Sequence, residues 1–245
     1  VFMSTKCIIH PQHLRTGVFK RLVKEAVETI KSEFDDSNIL SVYSTKSTLA
    51  NEKVGFYPTT FVLKYVMPRW KCKFSTKPNV SKKDVVVRTL QKALASGFEL
   101  IGSISSDHSK VPLDKRMLKW IASDPRRKYL LLRLRSDTES YILFYIDKTS
   151  LVLCDCHFKS VNSDVLLVSF LKKEVIAKGF DNISAFAIDG SKFSGWLNKS
   201  GFLHNRFKIG PWNESYPIYS VGDKASNNKD LVGLNYFALG LSLTS

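Results

Sequence analysis

The residues best suited to chemistry lie in a polar loop just ahead of an amphipathic segment. The loop ends in Leu14-Arg15-Thr16-Gly17, and an apolar pattern with helical spacing begins at Val18. The N-terminus of a helix presents unpaired backbone N–H groups and a partial positive charge, which suits a diphosphate. Gly17 lets a ligand approach the backbone closely, and Arg15 and Lys20 can add positive charge. The pattern favours an anion-binding loop, with an ordinary loop glycine as the alternative.

Other candidate residues have weaker patterns. His10 and His13 could act as bases, although histidines of an exposed loop are the more common interpretation. Cys154 and Cys156 alternate along an apolar strand and are expected to be buried on one face with Val152, rather than to bind zinc. The chain contains no Gly-x-Ser-x-Gly, Walker or His-Glu-x-x-His motif, which argues against hydrolases, nucleoside triphosphatases and zinc proteases.

The candidate loop needs a strand before it and a helix after it, and the sequence predicts both. The expected elements are strand Cys7–Ile9, helix 18–33, strand Ile39–Tyr43, helix Ser47–Lys53 and strand Thr60–Val66. Gly55 follows the short helix and can adopt the left-handed conformation that ends a helix. The first part of the chain therefore has the order β-α-β-α-β.

The later part of the chain repeats this order. The expected elements are strands Tyr129–Leu134, Tyr141–Ile146 and Leu151–Phe158, helix Asp164–Lys178 capped by Asn162 or Ser163, strand Ile183–Ile188 and helix Lys192–Ser200. Gly55-Phe56 and Gly201-Phe202 close the short helices, 146 residues apart. We favour a structural duplication, with chance similarity as the alternative. A basic stretch between the halves is expected to contain helices at Val85–Ala95 and Leu113–Ala122.

Composition narrows the possible partners and settings. Among 245 residues, 37 Lys and Arg against 22 Asp and Glu give a net charge of +15. Such a surface attracts nucleic acid, anionic lipid or a phosphorylated ligand, unless the lysines are merely solvated. No apolar run approaches the ~18 residues of a membrane span, the start lacks a signal-peptide pattern, and four scattered cysteines fit a reduced, cytoplasmic setting. The absence of an initiator Met suggests that the chain is truncated at its N-terminus.

Two segments resemble a known family. Residues 8–22 resemble the strand, phosphate loop and helix of the GNAT superfamily of acyl-CoA N-acyltransferases, and Ser44–Phe56 resembles its second conserved segment. The resemblance covers residues 5–66. Residues 127–220 match only in the order of their predicted strands and helices, as a second GNAT-like half. It implies an α/β fold with a mixed sheet, duplicated. The implied division is a GNAT-like half at 1–67 with the C-terminal part of the fold, a basic connector at 68–125 and a degenerate second half at 126–245.

The resemblance also implies an activity. Acetyl-CoA or another acyl-CoA would be the co-substrate, and the chain would move its acyl group to an amine or hydroxyl of a small acceptor without a metal. The implied binding residues are Ile8, Ile9, Leu14, Arg15, Thr16, Gly17, Val18, Phe19 and Lys20. The family's proton-donating tyrosine corresponds to Asn51, and to Leu197 in the second half, so no catalytic residue is assigned. Lys159–Ser163 make a poor phosphate cradle, so the second half is expected to have lost co-substrate binding and to serve as a scaffold or as a wall of the acceptor site.

A second hypothesis comes from a different class of protein. The chain could be a catalytically inactive GNAT-like protein or a basic nucleic-acid-binding protein. Trp70 and Phe74 could serve as stacking platforms. The lysines interleaved with and following them are Lys71, Lys73, Lys77, Lys82 and Lys83.

Overall fold

The computed structural model describes residues 2–4, 12, 16–33, 39–42, 52–53, 55–74, 80–98, 115–204 and 215–221. The strands are β1 (Phe2–Ser4), β2 (Ile39–Val42), β3 (Phe56–Pro68), β4 (Val85–Thr89), β5 (Tyr129–Leu134), β6 (Tyr141–Asp147), β7 (Ser150–His157), β8 (Asn182–Ile188), β9 (Leu203–His204) and β10 (Ser215–Val221). The helices are α1 (Val18–Glu33), α2 (Arg69–Phe74), α3 (Leu90–Ala95), α4 (Lys115–Ala122), α5 (Val161–Lys178) and α6 (Lys192–Lys199). The chain is thus α/β, as the sequence predicted.

The chain forms two compact units. Unit 1 comprises residues 1–62 and 215–229, and unit 2 comprises residues 63–214 and 230–245. The division into 1–67, 68–125 and 126–245 stays a prediction. Within the described residues, no helix is long and apolar enough to cross a membrane.

Unit 1 contains a parallel pair of strands joined through a helix. β1 pairs in parallel with β2, with Phe2 opposite Ile39, and α1 lies between them in the chain. β10 pairs with the other edge of β2 in the antiparallel direction, with Ile218 opposite Val42. Parallel neighbours require a crossover connection, which α1 provides. The predicted strand Cys7–Ile9 and most of the predicted helix Ser47–Lys53 lie outside the described residues.

Unit 2 contains a mixed sheet. The order of its strands is β3-β8-β7-β6-β5-β4, with β9 also paired to β3. The pairs β4–β5, β5–β6 and β6–β7 are antiparallel, whereas β7 and β8 are parallel and are connected through α5. This parallel pair with its connecting helix repeats the β1-α1-β2 order of unit 1.

Side chains cover both faces of the unit 2 sheet. On one face, residues of α5 and α6 such as Leu167, Val175 and Phe193 pack against strand residues in one buried cluster. On the other, α3 and α4 contribute Leu90 and Leu118 to a second cluster. A sheet covered on both sides explains why β6 and β7 are apolar in runs rather than in strict alternation.

The two Gly-Phe pairs have the same local structure. Gly55 and Gly201 have φ of +87° and +88°, and each closes a turn by donating its N–H to a carbonyl three residues earlier, at 3.1 and 3.0 Å. Phe56 and Phe202 are both buried. The left-handed conformation explains the glycines, and burial explains the phenylalanines. The correspondence that the sequence predicted between the two halves is therefore present in the structure.

Two predictions about helices were wrong. Val85–Ala95 is not one helix, because the β-branched run Val85–Val87 extends as β4 along β5 and only Leu90–Ala95 is helical. Helix α5 begins at Val161 rather than Asp164. Its N-cap is Ser160, whose hydroxyl accepts the N–H of Ser163 at 3.1 Å, and not Asn162 or Ser163. By contrast, α1 has the predicted bounds.

Candidate functional site

The part of the predicted anion site that lies at the start of α1 falls within the described residues. Gly17 has φ of +78°, is exposed, and accepts the N–H of Arg21 at 3.1 Å, so the helical hydrogen bonds begin at its carbonyl. Apart from the chain neighbours of Gly17, no heavy atom of the described residues lies within 4 Å of the position that a Cβ on Gly17 would take. The described residues therefore leave the backbone at this end of the helix open to a ligand, and φ explains why a glycine occupies it.

The charge around this helix terminus is positive. The first turn of α1 contains no acidic residue, and Lys20 and Arg21 are both exposed there. The first N–H groups of a helix have no carbonyl partner within the helix and lie at the positive end of its dipole. This combination of dipole and side-chain charge suits an anion.

The structure describes five of the nine predicted binding residues. Thr16, Gly17, Val18, Phe19 and Lys20 lie together at the start of α1, where Val18 and Phe19 are half-buried and the other three are exposed. The remaining predicted residues, Ile8, Ile9, Leu14 and Arg15, lie outside the described residues. The position Asn51, where the family has a tyrosine, also lies outside them.

The corresponding helix terminus in unit 2 carries acidic side chains of its own. The Asp137 carboxylate accepts the hydroxyl of Ser163 at 2.6 Å and also the hydroxyl of Ser140. Ser140 in turn accepts the N–H of Lys159, the residue before the helix cap, at 2.8 Å. Asp164 adds a second carboxylate to the first turn of α5. Acidic and hydroxyl side chains of the protein itself therefore lie at the N-terminus of α5.

Hydrogen bonds keep Asp137 ionised. Burial disfavours its charged form, but hydrogen bonds from the Ser140 and Ser163 hydroxyls, together with the N–H groups of Ser140 and Glu139, outweigh that cost and lower the pKa of Asp137 to about 2. The sequence analysis did not identify Asp137. Its Ser-Asp-Thr turn predicts only a polar hairpin, since the contact with Ser163 joins residues 26 positions apart.

The parallel strands of unit 2 are paired over only part of their length. β7 and β8 pair from Ser150 opposite Asn182 to Leu153 opposite Ala185, although β7 continues to His157 and β8 to Ile188. Backbone groups that a strand does not use for its neighbour are the groups by which sheets bind extended ligands. Beyond Leu153 and Ala185, β7 and β8 are not paired with each other.

A β-bulge between β6 and β7 lies where the pairing of β7 with β8 stops. Leu143 of β6 is opposite Asp155, and the next residue, Phe144, is opposite Leu153, so Cys154 is the extra residue. Cys154 and Cys156 are both buried, as predicted. They do not share a face, because the bulge places Cys154 in the cluster with α3 and α4 and Cys156 in the cluster with α5 and α6.

Potential catalytic groups near the bulge are enclosed. Asp155 is 1% exposed and accepts the hydroxyl of Tyr141, which is fully buried, at 3.0 Å. Leu197, the second-half counterpart of the family's tyrosine, is also buried. In the described part of the chain, no group of three or more His, Cys, Asp or Glu residues could hold a metal ion. Unit 2 therefore offers no accessible acid or base at these positions.

Solved structures share this architecture. No protein-family model and no curated protein matches the chain. A GCN5-related N-acetyltransferase from Kribbella flavida has a TM-score of 0.59 at 12% identity, over 89% of this chain and 51% of that chain. One from Anabaena variabilis has a TM-score of 0.55 at 11% identity, over 86% and 52%. A tandem GNAT protein from the clavulanic acid biosynthesis pathway has a TM-score of 0.52 at 8% identity, over 89% and 74%.

These matches establish the class of fold. The chain has the fold of the GCN5-related, or GNAT, acyl-CoA N-acyltransferases, as the two sequence segments indicated. The likeness to a tandem GNAT protein agrees with the β-α-β order that occurs in both units. The chain spans about half the length of the matched chains from Kribbella flavida and Anabaena variabilis.

Proposed function

We propose that the chain is an acyl-CoA-dependent acyltransferase that moves an acetyl or other acyl group to an amine or hydroxyl of a small acceptor. The diphosphate of the acyl-CoA would bind at the N-terminus of α1, through residues 14–20. Ile8 and Ile9 would pair their backbone with the pantetheine arm. The observation that carries this proposal is the contrast between the two long helices. Among the described residues, the start of α1 is open and basic, whereas carboxylates lie at the start of α5.

The contrast also assigns different roles to the two units. A diphosphate at the start of α5 would meet the negative charge of Asp137, which the hydroxyls of Ser140 and Ser163 stabilise. At the start of α1 it would meet the helix dipole and the exposed Lys20 and Arg21. We therefore assign co-substrate binding to unit 1 and a scaffold role to unit 2.

The reaction needs positioning more than special side chains. An acceptor nitrogen attacks the thioester carbon, a C–N bond forms and the C–S bond breaks. The acceptor nitrogen loses a proton and the departing sulfur takes one up. Holding the thioester in place lowers the barrier because the encounter becomes effectively unimolecular. In this proposal the protein binds the diphosphate at Gly17, and this binding fixes the position of the thioester relative to the acceptor.

Calorimetric titration of the full chain with acetyl-CoA tests the site. The matched variants are Gly17→Asp and Gly17→Asn, which are equal in size and both tolerate a left-handed backbone better than most residues. Only the aspartate adds a negative charge beside the proposed diphosphate. We expect Gly17→Asp to bind acetyl-CoA at least about tenfold more weakly than Gly17→Asn, because like charges at short range repel by more than ~1.4 kcal/mol.

Stability provides an internal check on this result. An aspartate near a helix N-terminus stabilises the helix, so Gly17→Asp should be at least as stable to heat as Gly17→Asn. A loss of binding therefore cannot be attributed to a loss of fold. Asn162→Asp adds the same charge to the exposed first turn of α5 and should leave acetyl-CoA binding unchanged. Equal affinity of the two Gly17 variants, or an equal loss in Asn162→Asp, would refute the proposed site.

A further inference from the structure

Helix α2 exposes two large aromatic side chains on one face. Trp70 and Phe74 are four residues apart, which places them on the same side of the helix. Trp70 is 55% exposed and Phe74 is 80% exposed, and their ring centroids lie 6.4 Å apart in an edge-to-face arrangement. Side chains of this size usually bury most of their surface, and exposed apolar groups rimmed by polar residues mark interaction sites.

The helix that presents these rings is fixed to the rest of unit 2. Cys72, between the two aromatic residues, is buried in the same cluster as residues of α5. The backbone N–H of Arg69 donates to the carbonyl of Asp181 at 2.8 Å, and its guanidinium donates to the carbonyl of Ile176 at 3.3 Å. Binding of a partner to the rings therefore costs little conformational entropy, because the helix is already ordered.

Positive charges alternate with the aromatic residues. The helix reads Arg69-Trp70-Lys71-Cys72-Lys73-Phe74 and contains no acidic residue. Lys71 also lies near Lys172 of α5: burial lowers the pKa of Lys172, and the charge of Lys71 contributes in the same direction. Glu174 of α5 is paired with Lys82 at 3.9 Å and with Lys178 at 2.8 Å. The charges that the helix itself places beside the two rings are therefore all positive.

We propose that the α2 surface, defined by Arg69, Trp70, Lys71, Lys73 and Phe74, binds single-stranded nucleic acid. Bases stack on the flat faces of Trp70 and Phe74, which an edge-to-face pair leaves partly open, and phosphates pair with the interleaved cations. Aromatic platforms within a basic surface are the combination by which proteins hold single strands without reading their sequence. An anionic membrane would require a broader apolar face, whereas the exposed apolar face of this six-residue helix consists of the two rings and is flanked by lysines.

Fluorescence anisotropy with a labelled 20-nucleotide oligothymidylate tests this surface in the full chain. We expect the wild type to bind, with affinity that falls linearly on a logarithmic scale as salt is raised. Trp70→Ala combined with Phe74→Ala should weaken binding at least about tenfold at every salt concentration and leave the slope unchanged, because stacking involves no counterion release. Lys73→Ala should reduce the slope by about 0.7, the contribution of one phosphate contact on a single strand.

An exposed tryptophan elsewhere provides the matched control. Trp120 of α4 is 68% exposed and also lies in a basic helix, so Trp120→Ala removes a similar ring outside the α2 surface. Oligonucleotide affinity should be unchanged in this variant. The proposal is overturned if the wild type does not bind at 50 mM salt, if Trp120→Ala weakens binding as much as the double variant, or if the chain binds phosphatidylglycerol vesicles but no oligonucleotide. Circular dichroism melting shows whether each variant is folded.

Discussion

Replacing Asp137 by asparagine should destabilise unit 2 without changing its shape. The carboxylate accepts hydrogen bonds from the hydroxyls of Ser140 and Ser163 and from the N–H groups of Glu139 and Ser140. Asparagine keeps the size but removes the charge that makes these hydrogen bonds strong. The change therefore tests whether this carboxylate holds the β5–β6 turn against the start of α5.

The shifted pKa sets the size of the effect. The pKa of Asp137 falls from an ordinary value of 3.8 to about 2. A shift of nearly two units corresponds to at most about 2.4 kcal/mol, at about 1.36 kcal/mol per unit. Because Asp137 is only half-buried, solvent screens part of this energy, and we expect Asp137→Asn to lower the free energy of unfolding by about 1–2 kcal/mol at pH 7.

The pH dependence has a definite sign. The pKa of the folded state is depressed, so the stabilisation is complete above the unfolded-state pKa of about 4 and is lost as pH falls towards 2. The difference in unfolding free energy between wild type and Asp137→Asn should therefore be constant from pH 7 to pH 5. It should shrink between pH 4 and pH 2.

Urea unfolding followed by tryptophan fluorescence measures this difference. The four tryptophans, at positions 70, 120, 196 and 212, all fall within unit 2, so the signal reports the unit that contains Asp137. Asp147→Asn, at an exposed position, is the control and should change stability by less than about 0.5 kcal/mol. Unchanged stability of Asp137→Asn at pH 7, or a difference that persists undiminished at pH 2, would refute the assigned role.

Three further predictions concern other parts of unit 2. Gly201→Ala should lower the unfolding free energy by about 1 kcal/mol because the φ of Gly201 is +88°. Gly195→Ala inside α6 should raise it by about 0.5–1 kcal/mol in the same urea experiment, because outside the helix backbone and the chain neighbours of Gly195 a Cβ there meets no atom of the described residues within 4 Å. Ser160→Ala removes the cap of α5 and should cost about 1 kcal/mol, with a smaller effect for the exposed Asn162→Ala. In a Cys7→Ser variant, a thiol reagent should react only after unfolding, because burial raises the pKa of every remaining thiol: Cys72, Cys154 and Cys156.

Elements with strong local periodicity could be predicted from the sequence. Helix α1 has a long amphipathic pattern and a glycine before it, and its predicted bounds match the structure. The two Gly-Phe turns were also predictable, because a left-handed residue at the end of a helix strongly favours glycine. Val85–Ala95 was mispredicted because a short apolar run fits either a strand or a helix, and pairing with β5 decided between them.

Features that depend on distant residues could not be predicted. Ser160, Asn162 and Ser163 are all residue types that cap helices, and only the folded chain shows that Ser160 is the cap. Asp137 lies in the turn between the paired strands β5 and β6, and its carboxylate contacts Ser163 of α5. No local sequence pattern indicates this contact. The bulge at Cys154 inserts one residue into an apolar run, which changes the facing of the following residues without any signal in residue type.

In the proposed acyltransferase, the start of α1 holds the diphosphate of the acyl-CoA. The most direct measurement is a binding cycle in which wild type, Gly17→Asn and Gly17→Asp are each titrated with acetyl-CoA and with S-acetylpantetheine, which lacks the diphosphate. We expect the aspartate to weaken acetyl-CoA binding at least about tenfold relative to asparagine and to leave S-acetylpantetheine binding unchanged. Equal effects on both ligands would show that Gly17 does not contact the diphosphate, and would refute the proposed site.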